Sequence, residues 1–390
     1  MGKALRACLG VALITMLTTV PTGVAEAAAD PPAIIDLGTL PGDDGSGVTT
    51  LNNADTVIGY SRWRRAPGDA TSTYRPVKWN AAGVISALPI PPGDTNSSHV
   101  VVDLNDSGVI IGNSTDAVAS GPTDRGLRWA PDGTVKVLAP LPGDTASRAT
   151  DVTADGTVLG QSWRQGSPAR VALWSPDGKA TTLPVPSGYD RSSGGAINDD
   201  KVVVGNAEGP GKPRLTLLWK PDGTYVEIQD RVGYPFLINN AGAVAGWSPG
   251  FRCVKLNPDG TVVDLGPYGQ LATLTAAGAV AGGIGNPPYW QPTRWTPDGT
   301  ATTLPRLPGD QVGSVADIDD RNVTVGASTH VVSTIVREHH AVYWTPDGTL
   351  VPLGALPGGK ESWTRAINSK GTIAGNSSSP RGERAVLWRL

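Results

Sequence analysis

Cysteine is nearly missing from this 390-residue chain, which holds only two, Cys8 and Cys253. Cys8 lies in an N-terminal segment that is expected to be removed, so Cys253 is left alone and an intrachain disulfide is excluded. Phenylalanine and methionine are also scarce, with two residues each. Beyond the N-terminal segment, no stretch is long and apolar enough for a membrane helix, and none has helical periodicity. Stability must therefore come from packing alone.

No charge of one sign dominates. Removing Lys3, Arg6 and Glu26 with the first 27 residues reduces 32 basic and 35 acidic residues to 30 and 34. Because phosphate binding needs a basic surface, nucleic acid is not expected as a partner.

Residues 1–27 have the pattern of a secretory signal peptide. MGKALR supplies positive charge, ACLGVALITMLTTV is too short to span a bilayer comfortably, and Ala25-Glu26-Ala27 is a small-x-small cleavage site. Cys8 precedes the apolar run, which argues against a lipoprotein. We expect a mature chain, residues 28–390, that is secreted, extracellular, monomeric and without a transmembrane segment.

Glycine, proline and tryptophan are abundant, at 50, 34 and 12 residues, as in an all-β chain with many turns. Eight phrases of about 44 residues repeat along residues 28–390. Each phrase ends on a bulky anchor: Trp79, Trp129, Trp174, Trp219, Leu256, Trp295, Trp344 and Trp388. A period in this range indicates a repeat architecture.

Each phrase contains four short strand-like pieces separated by turn residues. In six phrases Pro-Asp-Gly follows the anchor, at 131–133, 176–178, 221–223, 258–260, 297–299 and 346–348. Proline presets φ, Asp tolerates the second turn position, and Gly takes the left-handed one, which makes a tight hairpin. Four strands joined by hairpins form a meander. Eight meanders predict one β-propeller of eight four-stranded blades, with seven blades as the alternative if the compressed fifth phrase (220–256) forms no full sheet.

The chain begins and ends in mid-phrase. AIIDLGTLPG near the start is the piece that elsewhere follows Pro-Asp-Gly, and RAVLWRL at the end is the piece that precedes it. We therefore expect residues 34–38 to pair with residues 383–388 and so to complete the last blade.

Basic residues recur four positions before most anchors: Arg75, Arg125, Arg170, Arg252, His340 and Arg384. They form either a ring of ligand-binding groups or, as their repetition in nearly every unit favours, structural pairs with a carboxylate or carbonyl. The connections between second and third strands vary most in length. Because variable loops on a rigid scaffold commonly carry function, a binding site is expected on their face of the ring.

The repeated landmarks resemble the HAF family of extracellular repeats, named for a His-Ala-Phe stretch before Leu-Trp. The residues that carry the resemblance are Asp36-Leu37-Gly38-Thr39-Leu40-Pro41-Gly42, His340-Ala341-Val342-Tyr343-Trp344, and Ile367-Asn368 followed by Ile373-Ala374-Gly375. In most units Arg replaces the His. The resemblance implies a secreted repeat protein with a propeller fold and no general assigned activity.

No catalytic or metal site is predicted. Gly246-Trp247-Ser248-Pro249-Gly250 matches the G-x-S-x-G pattern of serine hydrolases, but Gly-x-Ser recurs in most units, always where the second strand ends. The histidines lack metal-ligand spacing. Asp43, Asp94, Asp144 and Asp310 follow Pro-Gly between units; a calcium ring is one interpretation, and Asp capping its own turn is the favoured one.

Aromatic residues outside the anchors are the ligand-binding candidates: Trp63, Trp163, Trp247, Tyr289 and Trp290. These rings either lie exposed in the loops, where they can stack on sugars, or fold back over the blade tops as packing. On the first interpretation the favoured function is non-catalytic binding of extracellular polysaccharide or a protein. A glycan lyase or hydrolase with its site at the mouth of the central channel is one alternative, which paired carboxylates there would favour. A purely structural surface protein is another.

Overall fold

The computed structural model describes residues 32–64, 72–92, 94, 97–118, 121–285, 290–333 and 336–390. Within these ranges the chain forms eight antiparallel four-stranded sheets and no helix. The first strands of successive sheets contact one another around a closed ring. The sheets are therefore the blades of an eight-bladed β-propeller, as predicted.

The blades are numbered in chain order, and in blades 1 to 7 the strands follow one another from the centre outward. Blade 1 contains β2 (Gly45–Leu51), β3 (Val57–Arg64), β4 (Ser72–Trp79) and β5 (Ile85–Ala87). Blade 2 contains β6 (Ser97–Leu104), β7 (Ile110–Val118), β8 (Gly121–Trp129) and β9 (Val135–Val137). Blade 3 contains β10 (Ala146–Val152), β11 (Val158–Trp163), β12 (Arg170–Trp174) and β13 (Ala180–Thr182). Blade 4 contains β14 (Arg191–Ile197), β15 (Val203–Glu208), β16 (Leu215–Trp219) and β17 (Tyr225–Glu227).

The second half of the ring repeats the same order. Blade 5 contains β18 (Tyr234–Ile238), β19 (Val244–Trp247), β20 (Cys253–Leu256) and β21 (Val262–Gly266). Blade 6 contains β22 (Gly269–Leu274), β23 (Val280–Ile284), β24 (Gln291–Trp295) and β25 (Ala301–Thr303). Blade 7 contains β26 (Val312–Ile318), β27 (Thr324–Val331), β28 (Arg337–Trp344) and β29 (Leu350–Pro352). Blade 8 contains β30 (Ser362–Ile367), β31 (Thr372–Ser379), β32 (Gly382–Arg389) and, as its outer strand, β1 (Ile34–Asp36).

The N-terminal strand closes the ring. Ile34 lies opposite Trp388 and Asp36 opposite Val386 in an antiparallel ladder. The Leu37 N–H donates to Ala385 O at 2.9 Å and extends this pairing by one residue. The predicted pairing of the first and last strands is confirmed.

The seven-blade alternative is wrong, because the fifth unit forms a complete sheet. Leu256 stands where the other units have Trp, and a smaller anchor leaves less volume to fill this blade interface. Ile228 and Val232, from the connection between blades 4 and 5, pack with Leu256 in one buried cluster. They supply the apolar contacts that an indole supplies elsewhere.

The tryptophan anchors join neighbouring blades. Trp174 of blade 3 is fully buried among side chains of blades 2 and 3, and its indole N–H donates to Ala139 O at 2.7 Å. Ala139 follows the outer strand of blade 2. The same bond is made by Trp79, Trp129, Trp219 and Trp344.

The recurring Gly-x-Ser has a packing origin. At Gly160 a Cβ atom would lie 1.9 Å from Arg148 O and 3.0 Å from the Trp174 ring, so only glycine fits. All eight blades have a glycine in this position: Gly59, Gly112, Gly160, Gly205, Gly246, Gly282, Gly326 and Gly375. Two residues on, Ser162 Oγ accepts from the Leu141 N–H at 2.9 Å.

Each innermost strand carries a β-bulge. In all eight blades one extra residue interrupts the pairing of the first and second strands: Thr49, Val102, Thr150, Gly195, Phe236, Ala272, Ala316 and Arg365. A bulge leaves its extra residue unpaired and redirects the side chain. Six of these side chains are small or β-branched, whereas Phe236 and Arg365 are large. Blades 5 and 8 therefore depart from the repeat at this position.

The upper face of the ring holds the hairpins between second and third strands and the crossovers between blades. Asp43 of a crossover contacts both Ser61 of β3 and Arg75 of β4, which lie opposite each other in the ladder. Several hairpins expected as loops here continue as paired strands, with Arg64 opposite Ser72 and Val331 opposite Arg337. Exposed backbone groups gain hydrogen bonds by extending the ladder, which explains the difference from prediction.

The lower face holds the turns between first and second strands and the Pro-Asp-Gly turns. Side-chain amides of the former reach the next blade: Asn105 Nδ2 donates to Thr153 O at 2.9 Å, and Asn368 Nδ2 donates to Asn52 O at 3.0 Å across the closure. The turns, predicted only as local hairpins, therefore also connect blades.

Three innermost strands, those of blades 2, 3 and 7, each carry a buried carboxyl group: Asp103, Asp151 and Asp317. Burial, together with the charge and the hydrogen bond of the neighbouring Asp151, raises the pKa of Asp103 to about 7. Asp151 also has a pKa raised by burial, although its carboxylate accepts backbone N–H groups from Val152 and Ile197. Asp103 is thus the protonated member of the pair, and its O–H donates a hydrogen bond to the carboxylate of Asp151.

We expect the Asp103 proton to make folding pH-dependent. Between the ordinary aspartate pKa near 4 and about 7, the folded state keeps a proton that the unfolded state has lost, so the unfolding free energy falls as pH rises. Asp103→Asn mimics the protonated form and should gain, relative to wild type, on the order of 2 kcal/mol between pH 4 and pH 8. Urea unfolding at several pH values measures this. The control Asp230→Asn removes an exposed carboxylate and should follow wild type; an Asp103→Asn difference independent of pH would contradict the assignment.

Candidate functional site

A cavity of about 870 Å³ lies at the upper end of the innermost strands of blades 6, 7 and 8. Gln270, Ser314 and Trp363 line it from β22, β26 and β30, and Arg337 and His339 line it from β28. This is the mouth of the ring on the upper face, where a binding site was expected. We call it the mouth cavity.

Charged groups are concentrated on one side of the mouth cavity. Arg337, Glu361 and Arg365 line it, and the bulge of β30 places Arg365 in solvent. Burial lowers the pKa of His339, nearby Arg337 lowers it further, and Glu361 opposes them. His339 Nδ1 lies 2.9 Å from Thr329 Oγ1, which orients the imidazole. At pH 7 the lining of the mouth cavity therefore includes a neutral histidine, two cationic side chains and one carboxylate.

An aromatic shelf of four rings, Phe236, Trp247, Tyr268 and Trp290, lines a second pocket of about 390 Å³. The Phe236 and Trp247 centroids lie 4.7 Å apart at 84°, and those of Trp247 and Tyr268 lie 4.8 Å apart at 38°. The Trp247 indole N–H donates to Gly269 O at 2.7 Å, which fixes this ring across the interface between blades 5 and 6. Such fixed, partly exposed rings offer apolar area at little entropic cost.

The shelf and the mouth cavity adjoin each other, because Gln270 and Leu271 line both. An apolar, ring-lined surface thus leads into a polar, charged one. This combination of apolar area with a few convergent polar groups is typical of ligand sites.

The five predicted ligand-binding residues are divided among the blades. Trp247 and Trp290 lie on the shelf. Trp63 is 42 % exposed on the extended hairpin of blade 1, and Trp163 ends the second strand of blade 3. Tyr289 lies outside the described residues. The structure therefore brings two of the five together and leaves Trp63 and Trp163 in other blades.

Sequence reasoning missed Phe236, Tyr268 and Trp363, together with the charged residues of the mouth cavity. Some of these residues could have been found from the sequence, because they stand where it departs from the repeat. Both phenylalanines of the chain, Phe236 and Phe251, fall in the fifth unit. Tyr268 lies in a crossover, the segment that reads Leu-Pro-Gly-Asp at 40–43, 141–144 and 307–310. A partly exposed residue that departs from the repeat is a candidate for function, because the packing common to all blades does not require it.

The recurring basic residues form structural pairs instead of a ligand ring. Arg75 pairs with Asp43, Arg170 Nη2 lies 2.9 Å from Asp144, and His340 Nδ1 lies 3.0 Å from Asp310. Serine hydroxyls of the second strands donate to the same carboxylates in several blades. The four crossover aspartates are therefore held by protein cations and hydroxyls, and they link second and third strands to the crossover.

Ser248 lies in a tight turn between β19 and β20. The Phe251 N–H donates to Ser248 O at 2.9 Å, and the Arg252 N–H donates to Ser248 Oγ at 3.2 Å. A hydrolase nucleophile needs a strand-to-helix elbow, which this hairpin is not. In the described ranges, no group of three or more His, Cys, Asp and Glu residues could hold a metal ion. Nor does any described helix have the length and apolarity to cross a membrane.

The closed ring of four-stranded sheets defines the class of protein as a β-propeller with a ligand-sized site at one mouth. No model of a known protein family matches the chain, and no curated protein matches it. Solved structures do match over most of its length. Their low identities limit the inference to the fold.

Three similar structures illustrate this. The acylaminoacyl peptidase of Pyrococcus horikoshii is 12% identical with a TM-score of 0.50, covering 85% of this chain and 57% of that one. The β-propeller domain of the Trilobed protease from Pyrococcus furiosus is 10% identical with a TM-score of 0.48, covering 89% and 94%. Virginiamycin B lyase from Staphylococcus aureus is 12% identical with a TM-score of 0.44, covering 92% and 98%.

Proposed function

We propose that this chain is a secreted, non-catalytic binding propeller of the HAF-repeat type that recognises extracellular polysaccharide at its upper mouth. The observation that carries the proposal is the aromatic shelf beside the mouth cavity. Four rings in contact offer flat faces on which sugar rings can stack, and Gln270 offers an amide at the junction. Fixed aromatic anchors beside polar groups suit a ligand with apolar faces and many hydroxyls.

The secreted location and the family rest on sequence features. The N-terminal pattern of charge, short apolar run and Ala25-Glu26-Ala27 supports export. The pairing of His340 with Asp310 gives a physical reason for the His at the start of the HAF landmark. Arg75 and Arg170 pair in the same way with the crossover aspartates of their blades, so either Arg or His can fill the landmark position.

The alternatives receive less support from the site. A glycosidase needs two carboxyl groups on either side of the scissile bond. Among the described residues that line the mouth cavity, Glu361 is the one acid. A purely structural role leaves the partly exposed shelf without an explanation. Binding is therefore preferred to hydrolysis and to a structural role.

The test is binding of the mature protein to a panel of neutral and acidic polysaccharides, with calcium or with chelator. The double variant Phe236→Ala/Trp290→Ala removes two shelf rings and should weaken binding at least about tenfold, because stacked aromatic anchors are common hot spots. Trp63→Ala, on the exposed hairpin of blade 1, should bind as wild type does. Thermal melting verifies that each variant is folded. Absence of binding to every polysaccharide, or unchanged binding by the folded double variant, would overturn the proposal.

A further inference from the structure

The arginines of the mouth cavity lack the carboxylate partners that the recurring arginines four positions before the anchors have. Arg75 pairs with Asp43, Arg170 with Asp144, and Arg252 with Asp264 at 2.7 Å. Arg337 and Arg365 also lie on the upper side of the ring, yet neither forms an ion pair with any carboxylate in the described part of the chain. Their charge is therefore available to a ligand.

At the positions of the innermost strands that correspond to Arg365 and Trp363, no acidic side chain compensates this charge; the carboxyl groups on these strands are buried at other positions. In each strand the bulge residue and the residue two before it are equivalent to Arg365 and Trp363. The eight bulge positions include Arg365 and no acidic residue. The positions two before are Gly47, Val100, Arg148, Ser193, Tyr234, Gln270, Ser314 and Trp363, which include Arg148 and again no acid.

The upper mouth thus has a local positive charge, although the chain as a whole is slightly negative. The whole chain has a formal net charge of −3. The lining of the mouth cavity has Arg337 and Arg365 against Glu361. Arginine is suited to carboxylate and sulfate groups, because its planar guanidinium donates two parallel hydrogen bonds.

We propose that the ligand is an anionic polysaccharide, whose carboxylate or sulfate groups pair with Arg337 and Arg365 while its sugar rings stack on the aromatic shelf. This inference rests on the proposed function and names the class of its ligand. The junction at Gln270 and Leu271 allows one chain of sugars to contact both regions. Neighbouring residues of the polymer would then alternate between stacking and charge pairing.

The experiment measures binding by calorimetry with three probes: polygalacturonate for carboxylate, dextran sulfate for sulfate, and dextran as a neutral glycan. The double variant Arg337→Gln/Arg365→Gln should bind the anionic probe at least about tenfold more weakly, since charge-assisted hydrogen bonds are the strong ones. Arg337→Lys/Arg365→Lys should restore part of the affinity. Raised salt should weaken wild-type binding, because screening acts on exposed charges.

The matched control is Arg191→Gln/Arg231→Gln, which removes the same charge from partly exposed positions outside the mouth cavity and should leave affinity unchanged. A preference for polygalacturonate or for dextran sulfate identifies the anionic group, and either supports the inference. Binding of dextran that the Phe236→Ala/Trp290→Ala variant loses and the arginine variant keeps would leave the proposed function standing and overturn the anionic ligand. Binding of no probe would overturn both.

Discussion

A chain lacking residues 28–40 is expected to melt at least about 10 °C below the intact mature protein. The deletion removes β1, so blade 8 loses its outer strand and Trp388 loses the strand that covers it. Leu37 and Leu40, both buried, are lost with it. Trp79 of blade 1 also loses the Leu37 carbonyl that accepts its indole N–H at 2.8 Å.

This deletion acts on two interfaces at once, because β1 pairs with the last blade while the residues after it pack on the first. Burying a leucine contributes about 1.5–3 kcal/mol, so the combined loss is large beside an ordinary folding free energy. Scanning calorimetry measures the shift. Deleting residues 28–31 alone is the control and should leave the melting temperature unchanged.

Should the shortened chain fail to fold, a peptide of residues 32–42 added during refolding should restore folded protein. Restoration by this peptide and not by a scrambled one supports strand closure. An intact melting temperature in the 28–40 deletion would show that the ring is held by other contacts.

Trp174→Ala is expected to lower the unfolding free energy by about 3–5 kcal/mol, the range for emptying a large buried aromatic site. The indole is fully buried between blades 2 and 3 and donates to Ala139 O. Gly160 makes room for this ring by its own lack of a side chain. Neighbouring side chains cannot fill the space unless the two sheets shift against each other, which their own hydrogen-bonded ladders oppose.

Urea unfolding gives the measurement, and Trp63→Ala is the matched control. Trp63 is 42 % exposed, so its truncation should change stability little. Trp174→Phe should recover part of the loss by refilling the volume without the N–H. Equal stability of Trp174→Ala and Trp63→Ala would contradict the assignment of the anchors to the blade interfaces.

Much of the fold could be predicted because its determinants are local. Asp132 illustrates this: it accepts the Thr134 N–H at 2.9 Å, and Gly133 follows it with φ of 88°. Repeated six times, this turn chemistry identifies hairpins without knowledge of the tertiary structure. The closure of the ring could be predicted in the same way. The last repeat lacks its fourth strand, and an extra copy of that strand precedes the first repeat.

The site could not be predicted to the same degree. Phe236, Trp247, Tyr268 and Trp290 belong to two blades and are separated in sequence, and their contacts depend on how blades 5 and 6 pack. Arg365 reaches solvent because of a bulge, which no local propensity predicts. Trp163 was a candidate of equal standing by sequence, yet it lies in blade 3, away from the shelf.

By itself the sequence determined the repeat, its hairpins, the anchors between the blades and the strand that closes the ring, because turn preferences and side-chain periodicity act within a few residues. It favoured eight blades over seven, and the complete fifth sheet decided between them. Only the tertiary structure decided which rings meet at the shelf, which arginines are left without partners and which carboxyls keep a proton. Those properties depend on distances between blades and on exclusion of water, and both are set by the packing of the whole ring.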